Sequence, residues 1–174
     1  MLLSINHLYH LSPPATHDIP TLCEYLNDGE IHRNTLEVPS PYTEEDAEEW
    51  VDSIGQRCYD GQPTVFHIRD ANEVCLGAIG ATPLDEESPR IFELGYWVGA
   101  PHRGKGIAPL AISRFCEYLN ATFGTDCVEA NVFNHNFASM RALEKAGFTL
   151  EGDSTHVYVK QHLTLYAKLY ARYF

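Results

Sequence analysis

The residues best suited to chemistry lie in one stretch, Gly95-Tyr-Trp-Val-Gly-Ala-Pro-His-Arg-Gly-Lys-Gly-Ile-Ala108, where a strand runs through a basic, glycine-rich turn directly into a helix. That order makes an anion site. Amides at a helix N-terminus have no intrahelical acceptor, so several of them can converge on a phosphate while the helix dipole favours its charge. Gly104 and Gly106 let the backbone come close, because a Cβ there would collide with the ligand or forbid the turn. Gly99 to Lys105 also matches the Gly-X-X-X-X-Gly-Lys spacing of a nucleoside triphosphate loop. Gly106 breaks that match, since the loop needs Ser or Thr there to hold magnesium and must follow a parallel strand of a nucleotide-binding sheet.

Arg103-Gly-Lys-Gly106-Ile-Ala108 has the form Arg-X-X-Gly-X-Ala and resembles the acetyl-CoA loop of the GNAT acetyltransferase superfamily. Downstream, Asn134-His-Asn136-Phe-Ala-Ser139, continuing to Glu144-Lys-Ala-Gly147-Phe148, is similar to that family's next block. Two blocks in the family's order are far more specific than either alone. Asn34 to Thr43, followed by an acidic helix, is similar to the Rim-type branch that acetylates ribosomal-protein N-termini. The likeness is strong over 91–152, moderate over 31–55 and faint at the C-terminus, where the sequence looks shortened.

The resemblance implies one α+β domain over residues 1–174, a GNAT-like acyltransferase fold with a mixed central sheet of six to seven strands and about four helices. It implies acetyl-CoA as cosubstrate, no metal, and transfer of the acetyl group to a primary amine by direct attack in a ternary complex. Val98 would pair its backbone with the pantetheine arm and polarise the thioester carbonyl. Arg103, Gly104, Lys105, Gly106, Ile107 and Ala108 would surround the pyrophosphate, mainly through amides. Asn136 would hydrogen-bond the cofactor arm, and Ser139 would sit near its sulfur. The Rim-like block points to a protein or peptide α-amine as acceptor. A small amine such as a polyamine, amino acid or drug uses the same machinery, and a module that binds acyl-CoA without transfer is the other alternative.

Transfer to an amine needs a neutral nucleophile, a stabilised oxyanion and a proton for the departing thiolate. A free α-amine with pKa near 8 is partly neutral at pH 7, whereas a lysine amine near 10.4 needs a stronger base. Glu93, on the strand that leads into the turn, is the candidate base through a water, or a strand-face carboxylate without a chemical duty. It shares a face with Ile91 and Gly95, while Tyr96 faces the other way. The tyrosine that many superfamily members use as acid falls on Leu143 here. Ser139 is the remaining donor, or a first-turn residue satisfying backbone groups; His135 titrates in a useful range but sits in a loop. Tyr42, Trp50 and Tyr96 are the expected wall of the acceptor cleft, with core packing the other reading for Trp50.

These residues require a particular order of elements. Residues 2–10 form a weak strand bearing His7 and His10 on its surface, and 18–27 a helix with Asp18 as N-cap. Thr43 caps a second helix through Ala47, Trp50, Val51 and Ile54, with Glu44, Glu45 and Asp46 in its first turn, where the macrodipole favours anions. Thr64–Arg69 and Val74–Ala81 form an antiparallel hairpin, and Ile91–Val98 follows a polar loop at 82–90. Gly95 marks a bulge, a close backbone approach or plain packing. A helix over 106–122, a strand over 127–133 and a helix over 136–146 ended by Gly147 complete the motif region. Residues 155–160 and 163–169 close the chain as a hairpin with a tight connection near Gln161.

The composition limits partners. With 12 basic and 24 acidic residues the net charge is −12, which repels nucleic acid and anionic lipid and suits a cationic substrate. No apolar run approaches the length of a membrane span and no leader pattern opens the chain, so a cytoplasmic protein is expected, monomeric or homodimeric. Five cysteines without a Cys-X-X-Cys pair predict reduced thiols, and nine histidines without zinc-site spacing predict no structural metal.

Overall fold

The structure, a computed structural model, describes residues 1–54, 58–85, 87 and 90–174. The chain forms two compact units, Met1–Gly80 with Tyr96–Ile107, and Ala81–Gly95 with Ala108–Phe174.

In the first unit, β1 (Leu3–Ser4) pairs antiparallel with β2 (Tyr9–Ser12), which pairs with β5 (Val65–Asp70), and β5 pairs with β6 (Cys75–Pro83). The expected single strand over 2–10 is thus a short hairpin. The Asn6 side chain accepts the amides of Leu8 and Tyr9 and turns the chain back between its arms. His7 lies exposed in that turn, whereas His10 is buried on β2, not a surface residue. The β5–β6 hairpin forms as its residues predict; Asp70 takes the amides of Asn72 and Val74 in the connection. A two-stranded pair, β3 (Cys58–Tyr59) with β4 (Gln62–Pro63), precedes it.

Helices α1 (Ile19–Leu26), α2 (Gly29–Asn34) and α3 (Glu44–Ile54) complete this unit around Ile19, Leu22, Leu26, Ile31, Tyr42 and Ala47. Thr43 caps α3 as the sequence predicts. Its Oγ1 accepts the Asp46 amide at 3.2 Å and its own amide donates to Asp46 Oδ2 at 2.7 Å, a reciprocal box. Asp28 caps α2, a helix the sequence does not announce, by accepting the Glu30 amide.

In the second unit, the first part of β7 (Ile91–Val98) runs parallel to β8 (Cys127–Phe133), with Ile91, Phe92 and Glu93 opposite Cys127, Val128 and Glu129. Between them the chain makes α4 (Ile107–Phe123); after β8 come α5 (Phe137–Lys145), β9 (Thr149–Lys160) and β10 (Leu163–Tyr173). Phe92, Ile112, Phe115, Leu119, Val128 and Leu143 are fully buried here. The polar loop expected at 82–90 is described at residues 84, 85, 87 and 90; Glu86, Ser88 and Pro89 lie outside the described residues.

Hydrogen bonding gives the strand order β1-β2-β5-β6-β7-β8-β10-β9. The parallel β7–β8 pair makes the sheet mixed, so the α+β class holds, with eight strands in this sheet among the described residues where six to seven were expected. Gly95 shows no close approach, since a Cβ there would meet nothing within 4 Å. The tight contact is one strand over, at Gly77, where a Cβ would sit 2.2 Å from the Trp97 carbonyl oxygen.

Candidate functional site

After β7 the backbone makes a 3-10 turn at Ala100–His102 and enters α4 at Ile107. Gly104 and Gly106 between them have φ of 74° and 77°, the left-handed region that side chains with a Cβ resist. A Cβ at either would meet nothing within 4 Å, so conformation and not crowding requires glycine, and the space beside both remains open. The first turn of α4 contains no acidic residue to compete for its amides. The open amides at the start of the helix could hold an anion such as a diphosphate. Lys105 is exposed beside them. Ile107 is buried as the helix begins, and Ala108 follows it half-buried as the first residue of the second unit's share of α4.

Arg103 behaves differently from its neighbours. Its Nε donates to the Val98 carbonyl at 2.9 Å, one terminal nitrogen meets Glu30 at 2.8 Å and the other meets Asp28 at 2.6 Å. The side chain ties the turn to the start of α2. It takes one of the two lone pairs of the Val98 carbonyl, and polarising a thioester carbonyl from Val98 would need a donor, its N–H. Two further contacts brace the turn. The Tyr25 hydroxyl lies 2.9 Å from His102 Nε2, and the Tyr25 ring fills the place where a Cβ of Gly99 would sit, 2.5 Å away. Burial, with the nearby Lys105 charge, lowers the His102 pKa and favours its neutral form.

Of the expected acceptor wall, Tyr42 is buried in the core around α1–α3 and its backbone is clamped by the Asn27 amide at 2.8 and 2.9 Å. Its hydroxyl is buried without a hydrogen-bond partner, and burial pushes its pKa up to about 12. Trp50 packs against the same core and stacks on His67 with ring centroids 5.5 Å apart. Tyr96 is half-buried on the last part of β7.

In the second unit, the Asn136 Oδ1 accepts the Ser139 amide at 3.1 Å and so caps α5. Ser139 is half-buried in that first turn. Glu93 accepts a hydrogen bond from Asn131 Nδ2 at 2.8 Å. The Tyr158 phenol titrates higher than usual, chiefly through burial and then through the Glu93 charge, which places it near that carboxylate. Asn131 and Tyr158 escaped the sequence reading. Each sits in an alternating strand segment where nothing in the local pattern distinguishes a site residue from a sheet-face residue.

A second cluster was also missed. Asp18 is at the N-cap position of α1, yet its carboxylate does not cap that helix. It takes both terminal nitrogens of Arg69, at 2.7 and 2.6 Å, and His67 Nδ1 at 2.7 Å, and it accepts the Ala15 amide at 2.9 Å. Burial opposes its charge, but the hydrogen bonds from His67 and Arg69 outweigh that cost and hold it well below the usual carboxylate range. Burial lowers the His67 pKa despite Asp18, so its imidazole is neutral and donates from Nδ1. Ligand atoms of Asp18, His67 and Cys75 lie within 4.8 Å of one another, as in a metal site. The positive charge at this place is the Arg69 guanidinium, and burial pushes the Cys75 thiol up to about 12, away from the thiolate a metal takes.

The GNAT acetyltransferase domain family matches residues 9–149 of the chain. An uncharacterized N-acetyltransferase p20 from Bacillus licheniformis is 30% identical over 138 residues, which is 78% of this chain and 75% of that protein. Two solved structures have the same fold at a TM-score of 0.85. One is the microcin C7 self-immunity acetyltransferase MccE in complex with acetyl-CoA and AMP, 18% identical, covering 98% of this chain and 94% of its own. The other is RimL, the ribosomal L7/L12 α-N-protein acetyltransferase in complex with coenzyme A, 15% identical, covering 99% and 98%. The open glycine turn at a helix start, the two sequence blocks and these matches agree: the chain belongs to the GNAT acetyltransferase family and is an acetyl-CoA-dependent N-acetyltransferase.

Proposed function

We propose that the acceptor is the α-amine of a protein or peptide N-terminus, acetylated by direct attack on the thioester in a ternary complex. Acetyl-CoA is held at its diphosphate by the amides from Gly104 to Ala108, with Lys105 as a mobile counter-charge. Asn136 reaches the pantetheine arm through its amide nitrogen, and the Val98 N–H meets the thioester carbonyl. Glu93 draws the amine proton through a water, and Ser139 donates to the departing thiolate. Trp50 and Tyr96 bound the acceptor side, with Tyr42 supporting that wall from the core of α1–α3, and the whole chain acts as one catalytic domain in the cytoplasm.

The observation that carries the acceptor class is the Rim-like run from Asn34 to Thr43 leading into α3, whose first turn exposes Glu44 and Glu45. Those carboxylates favour approach of a cationic amine. An α-amine with pKa near 8 then needs little help to become neutral, which suits a carboxylate working through water.

The test compares release of free CoA thiol with N-terminal peptides and with free amines such as spermidine. A kcat/KM at least about tenfold higher for peptides supports the reading, a difference of roughly 1.4 kcal/mol. The reverse ratio transfers the assignment to small amines, and turnover of neither removes the acceptor proposal. Ser139→Ala should lower kcat by about 10²-fold with acetyl-CoA affinity intact, the scale of one lost proton donor; unchanged kcat would strip Ser139 of that role.

A further inference from the structure

We infer that Asn131 is a positioning residue: its side-chain amide draws the Glu93 carboxylate forward along the sheet and fixes which of the two oxygens serves the acceptor amine. The inference rests on the reading of Glu93 as the base. Strands β7 and β8 run parallel, with Glu93 directly opposite Glu129, a carboxylate that cannot donate to it. Side chains alternate along a strand, so Asn131 shares the face of Glu129 and lies two residues nearer the end of β8. That end leads to Asn136 and Ser139 at the start of α5. Glu93 Oε1 accepts from Asn131 Nδ2 at 2.8 Å, so the carboxylate reaches forward in that direction.

The kind of donor matters. A cation in this place would stabilise the charged carboxylate strongly and make a poorer base, whereas a neutral amide orients it with a smaller effect. Among the described residues Glu93 has no other hydrogen bond and no ion pair. Oε1 is occupied by the amide, which leaves Oε2 to take the proton through water.

The other end of the amide shows what Asn131 is not for. Its Oδ1 is buried and has no hydrogen-bond partner among the described residues. A carbonyl oxygen in that state opposes folding, so an asparagine here is a poor choice for stability, and what it supplies is the donor to Glu93. The amide cannot turn over, because its own oxygen would then face the carboxylate. The support is also rigid. Both residues sit on paired strands, and Phe133, next on the same face, is buried edge-on against the Tyr158 ring with centroids 5.5 Å apart.

A double-mutant cycle on the full chain tests this, read as release of CoA thiol with an N-terminally free peptide and with spermidine. Asn131→Leu keeps nearly the same shape and removes both the donor and the buried oxygen. It should lower kcat about 10²-fold for whichever amine is turned over, the scale of a misplaced reacting group. Acetyl-CoA affinity should stay unchanged, and the melting temperature should equal that of wild type or exceed it. Glu93→Gln still accepts from Asn131 but takes no proton, so it should lower kcat by itself, and adding Asn131→Leu to it should change kcat by less than about twofold. Losses that multiply in the double variant would overturn the inference. So would an activity loss accompanied by a lower melting temperature in both Asn131→Leu and Asn131→Ala, which would make the side chain structural. A wild-type kcat in Asn131→Leu beside an impaired Glu93→Gln would remove this inference alone, whereas a wild-type kcat in Glu93→Gln would remove the base and the inference with it.

Discussion

The acyl-donor turn and the Asp18–His67–Arg69 cluster belong to the same unit and treat charge in opposite ways. At Asp18 the charged atoms are buried and each is matched to a named partner, as the cost of removing ions from water demands. In the turn two positive-φ glycines leave the backbone open, while Arg103 is directed to Asp28, Glu30 and the Val98 carbonyl. The lesson is that charge conspicuous in a sequence is a poor guide to the ligand. Both arginines pair with carboxylates of this unit, and on the proposed reading the anion site is made of peptide groups.

Several experiments would break that contrast. The largest effect is expected from Arg69→Met, which leaves Asp18 buried without its cation and should cost about 3–5 kcal/mol in urea unfolding, with acetyl-CoA affinity of the folded protein unchanged. A loss under about 1 kcal/mol would put the cluster in the class of solvated surface pairs. Gly106→Val comes next. A β-branched residue resists φ of 77°, so acetyl-CoA affinity measured by calorimetry should fall about 10²-fold, or roughly 2.7 kcal/mol. Normal binding would place the diphosphate elsewhere.

Acidification should act on the cluster by a smaller step. The folded-state pKa values of both His67 and Asp18 are depressed, so each contributes stability above its unfolded pKa that is lost as pH falls. The melting temperature should therefore drop below about pH 6.5 through His67 and again below about pH 4 through Asp18. His67→Gln should flatten the first fall, and a melting temperature that rises on acidification would contradict the assignment. The smallest effect is expected at Arg103→Ala. Its partners are partly exposed, so the ion pairs contribute about 0–1 kcal/mol and acetyl-CoA affinity should change by no more than about fivefold. A hundredfold loss would make Arg103 a phosphate ligand after all.

What the sequence disclosed follows from how local each signal is. Strand β7, the turn and α4 were legible nearly to the residue, because strand propensity, paired glycines and helical spacing sit side by side in the chain. The Thr43 cap and the β5–β6 hairpin were legible for the same reason. The Asp18–Arg69 pair was not, since its members lie on different elements and each, taken locally, looks like a cap or a strand-surface charge. The β9–β10 hairpin was legible in its turn but underestimated in length. Register shifts between Tyr166 and Lys168 and between Leu169 and Tyr170 break the two-residue alternation by which a strand is recognised. Asn131 beside Glu93 depends on two neighbouring strands and has no sequence signature at all.

The central claim is that peptide amides, not side-chain cations, hold the acyl donor. Amide chemical shifts followed by nuclear magnetic resonance during titration with acetyl-CoA test it directly. The largest shifts should fall on Gly104, Gly106, Ile107 and Ala108, with the Arg103 side-chain Nε signal little moved. Saturable binding that leaves those four amides unmoved and displaces the Arg103 guanidinium would contradict it.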